Sequence, residues 1–455
     1  MHDLGPRPSR HPLPHRNAHA WRGLEVSLDV LQHEHLVALE ERYSHVLVNH
    51  QLDGVLLYSG HPARHFGDDQ HASFVTQGHF MHWTGLAHAA HCWLLIRPGL
   101  RPTLYFHAPD DIWHLPNTLP DEPWVNHFHV ERRQEVTPPA LPPGRFAVVG
   151  DVAPTMTAQW DVKINPDGLT RDLDALRVHK SAYEVACLRE ANQRAMLGHQ
   201  AARDAFLGGA CELDIQFAYL AATRQRETSL PYGNIIALNA HGGVLHYQHQ
   251  AIRPEAIRRS LLVDAGYRYR GYCADITRTW PGPHANQRFA PLVEGVTALQ
   301  RTLIAALAPG VSFIDLHERM HAGLADLLIE QRLVRTSAEA AVASGITRAF
   351  CPHGLGHLLG VQVHDVAGHR DEGGNLLSPP VGAPFLRLTR ELQAGMVVTI
   401  EPGIYIIPML LDAYRGNREI DWDAVGSLAD HGGIRIEDNI HVTLHGPDNL
   451  TPRHE

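Results

Sequence analysis

No stretch of the 455-residue chain holds the run of about 18 apolar residues that a helix needs to cross a bilayer, so no membrane span is expected. The first twenty residues, MHDLGPRPSRHPLPHRNAHA, lack the apolar segment of a secretory leader and are rich in Pro, Arg and His. Residues 1–22 read as a disordered tail, and its histidines as a compositional accident rather than a metal site. Cysteine is scarce and scattered: Cys92, Cys187, Cys211, Cys273 and Cys351, an odd number with no CxxC pair. That excludes a disulfide framework and a zinc ribbon and fits a reducing cytoplasm. Positive charge is not in excess, with 39 Lys and Arg against 49 Asp and Glu. At a net charge of −10, non-specific attraction to nucleic acid or to an anionic membrane is disfavoured.

What remains is a soluble composition, 44% hydrophobic and 19% charged, too long for one ordinary core. The chain reads as α/β with two domains, at 23–170 and 171–455. In the first, a helix near Leu28 to His50 precedes the apolar run Gly54 to Tyr58. Cys92 to Ile96 and Thr103 to Phe106 flank a Pro98-Gly99 hairpin turn, and Phe146 to Gly150 is a buried strand. This half suggests a mixed sheet with helices. Ser181-Ala-Tyr-Glu184 is a capping box, predicting a helix from Ala182 to Leu207 that stops at Gly208-Gly209. Further helices are expected from about Leu213, over Gln287 to Leu307, and from a Ser312 cap through Glu330.

The chemistry lies in four strand-like segments: Leu261 to Gly266, Gly271 to Trp280, Met396 to Gly403 and Gly433 to Ile440. The first two are expected to form a hairpin across Tyr267 to Arg270. They carry Asp264, Asp275, Glu401 and Glu437 in apolar surroundings. A lone buried carboxylate costs several kcal/mol in order of magnitude, and four in separate apolar strands need a shared reason. A pair of divalent cations supplies one, because hard metals take oxygen ligands. A histidine cluster, His353-Gly-Leu-Gly-His357 and His364, joins the acids, and its glycines permit tight backbone geometry.

The stretches VDAGYRYRGYCADITRTW (263–280), PHGLGHLLGVQVHDV (352–366), TIEPGIY (399–405) and GGIRIEDNI (432–440) resemble the pita-bread metallopeptidases. That family includes methionine aminopeptidase, aminopeptidase P and prolidase. Within it the chain is most similar to the bacterial prolidases. Pro384 to Arg390, an insertion from Pro408 to His431, and the short matches Phe66 to Asp69 and His82-Trp83 carry that likeness.

The resemblance implies a creatinase-like amino-terminal domain followed by a pita-bread catalytic domain, and hydrolysis of dipeptides ending in proline by a water activated between two metal ions. Asp264, Asp275, His357, Glu401 and Glu437 would hold the metals, with Asp275 and Glu437 bridging. Glu401 would also shuttle the proton, and His353 and His364 would donate hydrogen bonds to the intermediate. Arg387 and His364 would bind the proline carboxylate, with His246 nearby and Tyr232 touching the substrate. Arg435 would support the metal acids from the same strand face as Glu437. Four carboxylates and one imidazole suit two Mn²⁺, with Co²⁺ as a replacement. The family also implies a cytoplasmic homodimer, with Asp69 and Trp83 as candidates to reach into the partner. Aminopeptidase P activity and a metal-free binding module of the same fold are the alternatives.

Overall fold

A computed structural model of the chain describes residues 26–452; the expected tail at 1–22 lies outside them. Helix α1 (Leu28–Asn49) opens the amino-terminal region, capped by the Ser27 hydroxyl. A six-stranded sheet follows, built from β1 (Gly54–Tyr58), β2 (Trp93–Arg97), β3 (Leu100–His107), β4 (His129–Arg133), β5 (Phe146–Val149) and β6 (Val162–Ile164). Its order is β4-β3-β2-β1-β5-β6. The pairs β1–β2 and β2–β3 are antiparallel, while β3–β4, β1–β5 and β5–β6 are parallel, so the sheet is mixed as expected.

Alternation explains why β1 is apolar throughout. Val55 and Leu57 face one cluster with Leu36 and Leu39 of α1 and with Leu169 and Leu173 of α3 (Asp167–Ala175). Leu56 and Tyr58 face the other side with Trp93 and Val148. Both faces of the strand are therefore covered, which removes any need for polar positions. Trp83 belongs to this first core. It lies on α2 (Gly78–Thr84) at 1% exposure, edge-on to Tyr43 at 5.1 Å between centroids. A side chain buried in its own core cannot reach into a second subunit, so that expectation is corrected. Asp69 is exposed.

The carboxy-terminal region begins at α4 (Ala182–Leu207), which has both halves of its capping box, and continues through α5 (Glu212–Thr223). Its strands are β7 (Ile235–Leu238), β8 (Ser260–Asp264), β9 (Arg268–Tyr269), β10 (Tyr272–Cys273), β11 (Thr277–Pro281), β12 (Val397–Ile400), β13 (Gly403–Tyr405), β14 (Gly433–Arg435), β15 (Asp438–Thr443) and β16 (Gly446–Asn449). They form antiparallel sheets ordered β11-β8-β7 and β12-β15-β16, with the smaller pairs β9–β10 and β13–β14. Ala202, Phe206, Ile215 and Tyr219 of α4 and α5 pack on β7 and β8. Helices α6 (Phe289–Ala305) and α7 (Phe313–Glu330) share the large core with β12 and β15. Two helices thus cover each of two sheets, and a bridge between Thr277 and Glu437 joins the halves. The insertion after Pro408 folds as short helical turns, and Leu411, Ile420 and Val425 bury it against the same core.

Three of the four expected acid-bearing strands are interrupted. Gly271 to Trp280 divides into β10 and β11, Met396 to Gly403 into β12 and β13, and Gly433 to Ile440 into β14 and β15. Asp275, Glu401 and Glu437 stand in the gaps, and Asp264 ends β8. Side chains and neighbouring loops replace the missing ladder. Asn439 accepts from the Asp275 amide at 3.0 Å and donates to its carbonyl at 2.5 Å. The Glu437 amide donates to the Thr277 carbonyl at 3.0 Å, and the Glu401 amide to Leu355 at 2.9 Å. The backbone stays satisfied while each carboxylate turns out of the sheet.

Ser181 couples the two regions, since its hydroxyl accepts from the Glu184 amide and also meets His35 Nδ1 of α1 at 2.9 Å. Ser181→Ala is expected to cost about 1 kcal/mol, or to lower the thermal midpoint by about 1–2 °C in a calorimetric scan.

Candidate metal and substrate site

The four acids and His357 converge on one cleft of about 340 Å³, which is also lined by Leu245, His246, His353, His364, Phe385, Arg387 and Arg435. Donor atoms of Asp275, His357 and Glu437 all lie within 4.8 Å of one another. His357 Nε2 stands 3.4 Å from Asp275 Oδ2 and 3.8 Å from Glu401 Oε1. Its Nδ1 meets the Leu358 carbonyl at 3.0 Å. A carbonyl only accepts, so Nδ1 carries a hydrogen and Nε2 is the nitrogen turned to the acids, the orientation a metal ligand requires. Gly356 makes the approach possible, because a Cβ there would lie 2.0 Å from the Thr399 carbonyl oxygen of β12.

Electrostatics are unfavourable without a cation. Burial, added to the charges of Asp275, Glu401 and Asp264, holds Glu437 well above the usual carboxylate range. Burial likewise pushes Glu401 up to about 7 and raises Asp264, against the pull of His357 and Arg435 respectively. Burial would raise Asp275 as well, but the hydrogen bond and charge of His357, with the Tyr232 hydroxyl and the His364 charge, together outweigh it, so Asp275 alone is lowered; the same pairing raises His357. Asp264 Oδ1 is buried with no hydrogen-bond partner. Three acids held toward the neutral form beside a fourth that ionises, one orphaned carboxylate oxygen and an imidazole nitrogen aimed at the acids fit hard divalent cations.

The surrounding side chains orient these donors. Arg435 donates to Asp264 Oδ2 at 2.6 Å, to the Tyr405 hydroxyl at 2.8 Å and to Thr277 Oγ1 at 3.1 Å. Thr277 passes its own hydrogen to Glu437 Oε2 at 2.7 Å, and Tyr232 donates to Asp275 Oδ1 at 2.6 Å. Tyr232 therefore touches one of the four acids, and it also lines an adjoining groove of about 800 Å³ with His246 and His364. Thr277 and Tyr405 were not singled out from the sequence. The available signal was a polar residue in an apolar strand two positions after Asp275, and the last residue of TIEPGIY.

His353 Nδ1 meets the Gly354 carbonyl at 2.8 Å, so Nε2 accepts from Tyr405 at 2.9 Å. Burial and the Arg435 charge hold its pKa down to about 3, so the ring is neutral. In this arrangement its one hydrogen is already used. To donate toward a substrate it must exchange tautomer and release Tyr405. His364 is exposed to the cleft, edge-on to His357 at 4.5 Å, and burial lowers its pKa to about 4. Arg387 and His246 are exposed on the same walls.

A further motif passed unnoticed in the sequence. His317-Glu318-Arg319-Met320-His321 has HExxH spacing on α7. Both rings are buried, their Nδ1 atoms lack partners, and they line a chamber of about 190 Å³ behind His353. Glu318, however, is exposed and does not line that chamber. Among the described residues no third donor joins the pair, so it does not form a zinc-protease centre. The other three-donor group, His35, His82 and Glu184, is occupied by hydrogen bonds between the two regions.

Residues 186–444 match metallopeptidase family M24, and residues 30–175 match the amino-terminal domain of Xaa-Pro dipeptidases. The chain is 47% identical to an Xaa-Pro dipeptidase of Marinobacter nauticus, over 92% of this chain and 97% of that protein. It is 42% identical to one of Cronobacter sakazakii, over 93% and 98% of the two chains. Among solved structures, Escherichia coli aminopeptidase P with the inhibitor Pro-Leu superposes with a TM-score of 0.69 at 22% identity, over 90% of this chain and 94% of that one. A Pseudomonas aeruginosa aminopeptidase gives 0.69 at 21%, over 91% and 94%. The similarity to these two structures is one of fold.

Replacing Arg435 with Met leaves Asp264 and the Tyr405 hydroxyl without their donor. Metal affinity is expected to fall about 10–100-fold, read by equilibrium dialysis of the variant against Mn²⁺.

Proposed function

The chain belongs to metallopeptidase family M24 and is a metal-dependent Xaa-Pro dipeptidase, and from that premise we propose how its residues divide the work. The carrying observation is the convergence of Asp264, Asp275, His357, Glu401 and Glu437 on a single cleft. These five would hold two Mn²⁺, or Co²⁺ in their place, with Asp275 and Glu437 shared between them. When bound, the metals supply Lewis acidity toward the scissile carbonyl and acidify a water to near neutral pKa.

Glu401 takes the proton of the attacking water and delivers it to the proline nitrogen as the bond breaks. His364 donates a hydrogen bond to the oxygen that gains charge, and His353 joins it after its tautomer exchange. Arg387 recognises the free carboxylate that follows proline. Its planar guanidinium suits that group, and among the described residues no carboxylate pairs with it. His246 and His364 line the same cleft, and Tyr232, in the groove that adjoins it, touches the substrate beside Asp275. Arg435 and Tyr232 keep the acids in place.

We further assign residues 23–170 and 171–455 to the amino-terminal and catalytic domains. A cytoplasmic homodimer is part of the same reading. Phe66, Ile112, Trp113 and Leu115 are exposed on the amino-terminal region and give it apolar surface to bury against a second copy. Among the described residues no helix is long and apolar enough to cross a membrane. A monodisperse monomer with full activity in light scattering would remove the dimer from this account.

Dialysis against a chelator is expected to abolish turnover of Gly-Pro, and two equivalents of Mn²⁺ per chain to restore it. Full activity in a metal-free sample contradicts the assignment. The carboxylate clamp separates dipeptidase from aminopeptidase P chemistry. Gly-Pro should be cut and Gly-Pro-Gly spared. Arg387→Ala should lower kcat/KM for Gly-Pro by about 10–100-fold, the value of one charge-assisted hydrogen bond.

A further inference from the structure

Directly after His364 stands a buried carboxylate that the proposed chemistry does not use. The Asp365 side chain is 2% exposed and pairs with two cations, Arg177 and Lys180, with Lys180 Nζ at 2.9 Å. Burial alone would raise the Asp365 pKa, but the two cations hold it below the usual carboxylate range. Arg177 and Lys180 lie between α3 and α4, where the amino-terminal region passes into the catalytic one.

The same guanidinium nitrogen of Arg177 that meets Asp365 also donates to Gln362 Oε1 at 2.7 Å. One cation therefore grips both flanks of the Val363-His364 pair. The loop that carries the pair closes on itself, since the Asp365 amide donates to the Leu358 carbonyl at 2.9 Å and the Gly360 amide to the Gln362 carbonyl at 3.1 Å. A Cβ on Gly360 would lie 2.2 Å from Asp365 Oδ2, so the carboxylate rests against bare backbone. Helix α2 reaches the clamp as well. A Cβ on Gly78 would lie 2.5 Å from Gln362 Oε1 and 2.6 Å from Arg177 Nη1. His364, at the tip, is left facing the cleft with its ring edge-on to His357.

An ion triad buried this deeply tolerates few geometries, because either cation displaced leaves the charge uncompensated in a low dielectric. We propose that Asp365 and Gln362, gripped by Arg177 and Lys180, are positioning residues that fix His364 against the bound dipeptide and so set its KM. The inference rests on the reading of His364 as a substrate-binding residue. It also ties recognition in the catalytic region to the seating of the amino-terminal region, since both meet at Arg177.

The test is a double-mutant cycle on the Mn²⁺-loaded full chain with Gly-Pro, using Gln362→Ala, Asp365→Asn and His364→Asn singly and paired. Gln362→Ala removes no charge, so it carries the test if Asp365→Asn fails to fold. Each single substitution is expected to raise KM about fivefold or more, and kcat falls with it, because His364 also donates to the oxygen that gains charge. In the His364→Asn background, Gln362→Ala should change KM by less than about twofold, because its effect runs through the missing imidazole. A purely structural role would not produce that loss of effect. If Gln362→Ala multiplies the KM of His364→Asn by its full single-variant factor, or leaves KM unchanged in the wild-type background, the positioning role is overturned. If His364→Asn alone leaves KM unchanged, the substrate-binding reading of His364 falls, and the inference with it.

Discussion

Mutual repulsion among four carboxylates governs the architecture of the catalytic region. Asp264, Asp275, Glu401 and Glu437 are buried together, and three of them are pushed toward the neutral form. Such a set survives only if the backbone holds each acid where it stands and if positive charge answers it. Both conditions are met from several directions at once. Arg435 crosses from β14 to Asp264, while Thr277 crosses from β11 to Glu437. No single strand could do this, which is why two sheets, each backed by two helices, are joined at the site through Thr277 and Glu437.

The interrupted strands are the local expression of that demand. A regular ladder would send alternate side chains to opposite faces and would leave every amide tied to its neighbour. Breaking the ladder at Asp275, Glu401 and Glu437 frees the backbone to turn. Asn439, Leu355 and Thr277 then take up the groups left behind. Rigidity comes from these cross-links between distant segments more than from the sheets themselves.

This also marks the limit of what the sequence discloses. The helices from Ala182 and Phe313 were legible to the residue, because Ser181 and Ser312 cap them through contacts three residues away. The acids and His357 were legible as a set, because charge in apolar surroundings needs a common cause. The gaps in the strands were not, since their stabilising partners lie up to 164 residues away and no local pattern announces them. Trp83 was misplaced for the same reason. Its neighbours Tyr43 and Phe128 come from α1 and from the turn before β4, and only the folded core brings them together. Thr277 and Tyr405 looked like ordinary strand residues until Arg435 was placed between them.

The pairing of β13 with β14 has a consequence for how such chains vary in length. Tyr405 lies opposite Gly433 and Gly403 opposite Arg435, so the polypeptide leaves the sheet and returns at neighbouring positions. The excursion between them closes its own ends. Its length is therefore decoupled from the spacing of Glu401 and Glu437, and residues can be inserted at its exposed turn around Arg415 and Gly416 while Leu411, Ile420 and Val425 stay seated in the core. In a site where most positions are fixed by several partners, this is the place where the scaffold is modular.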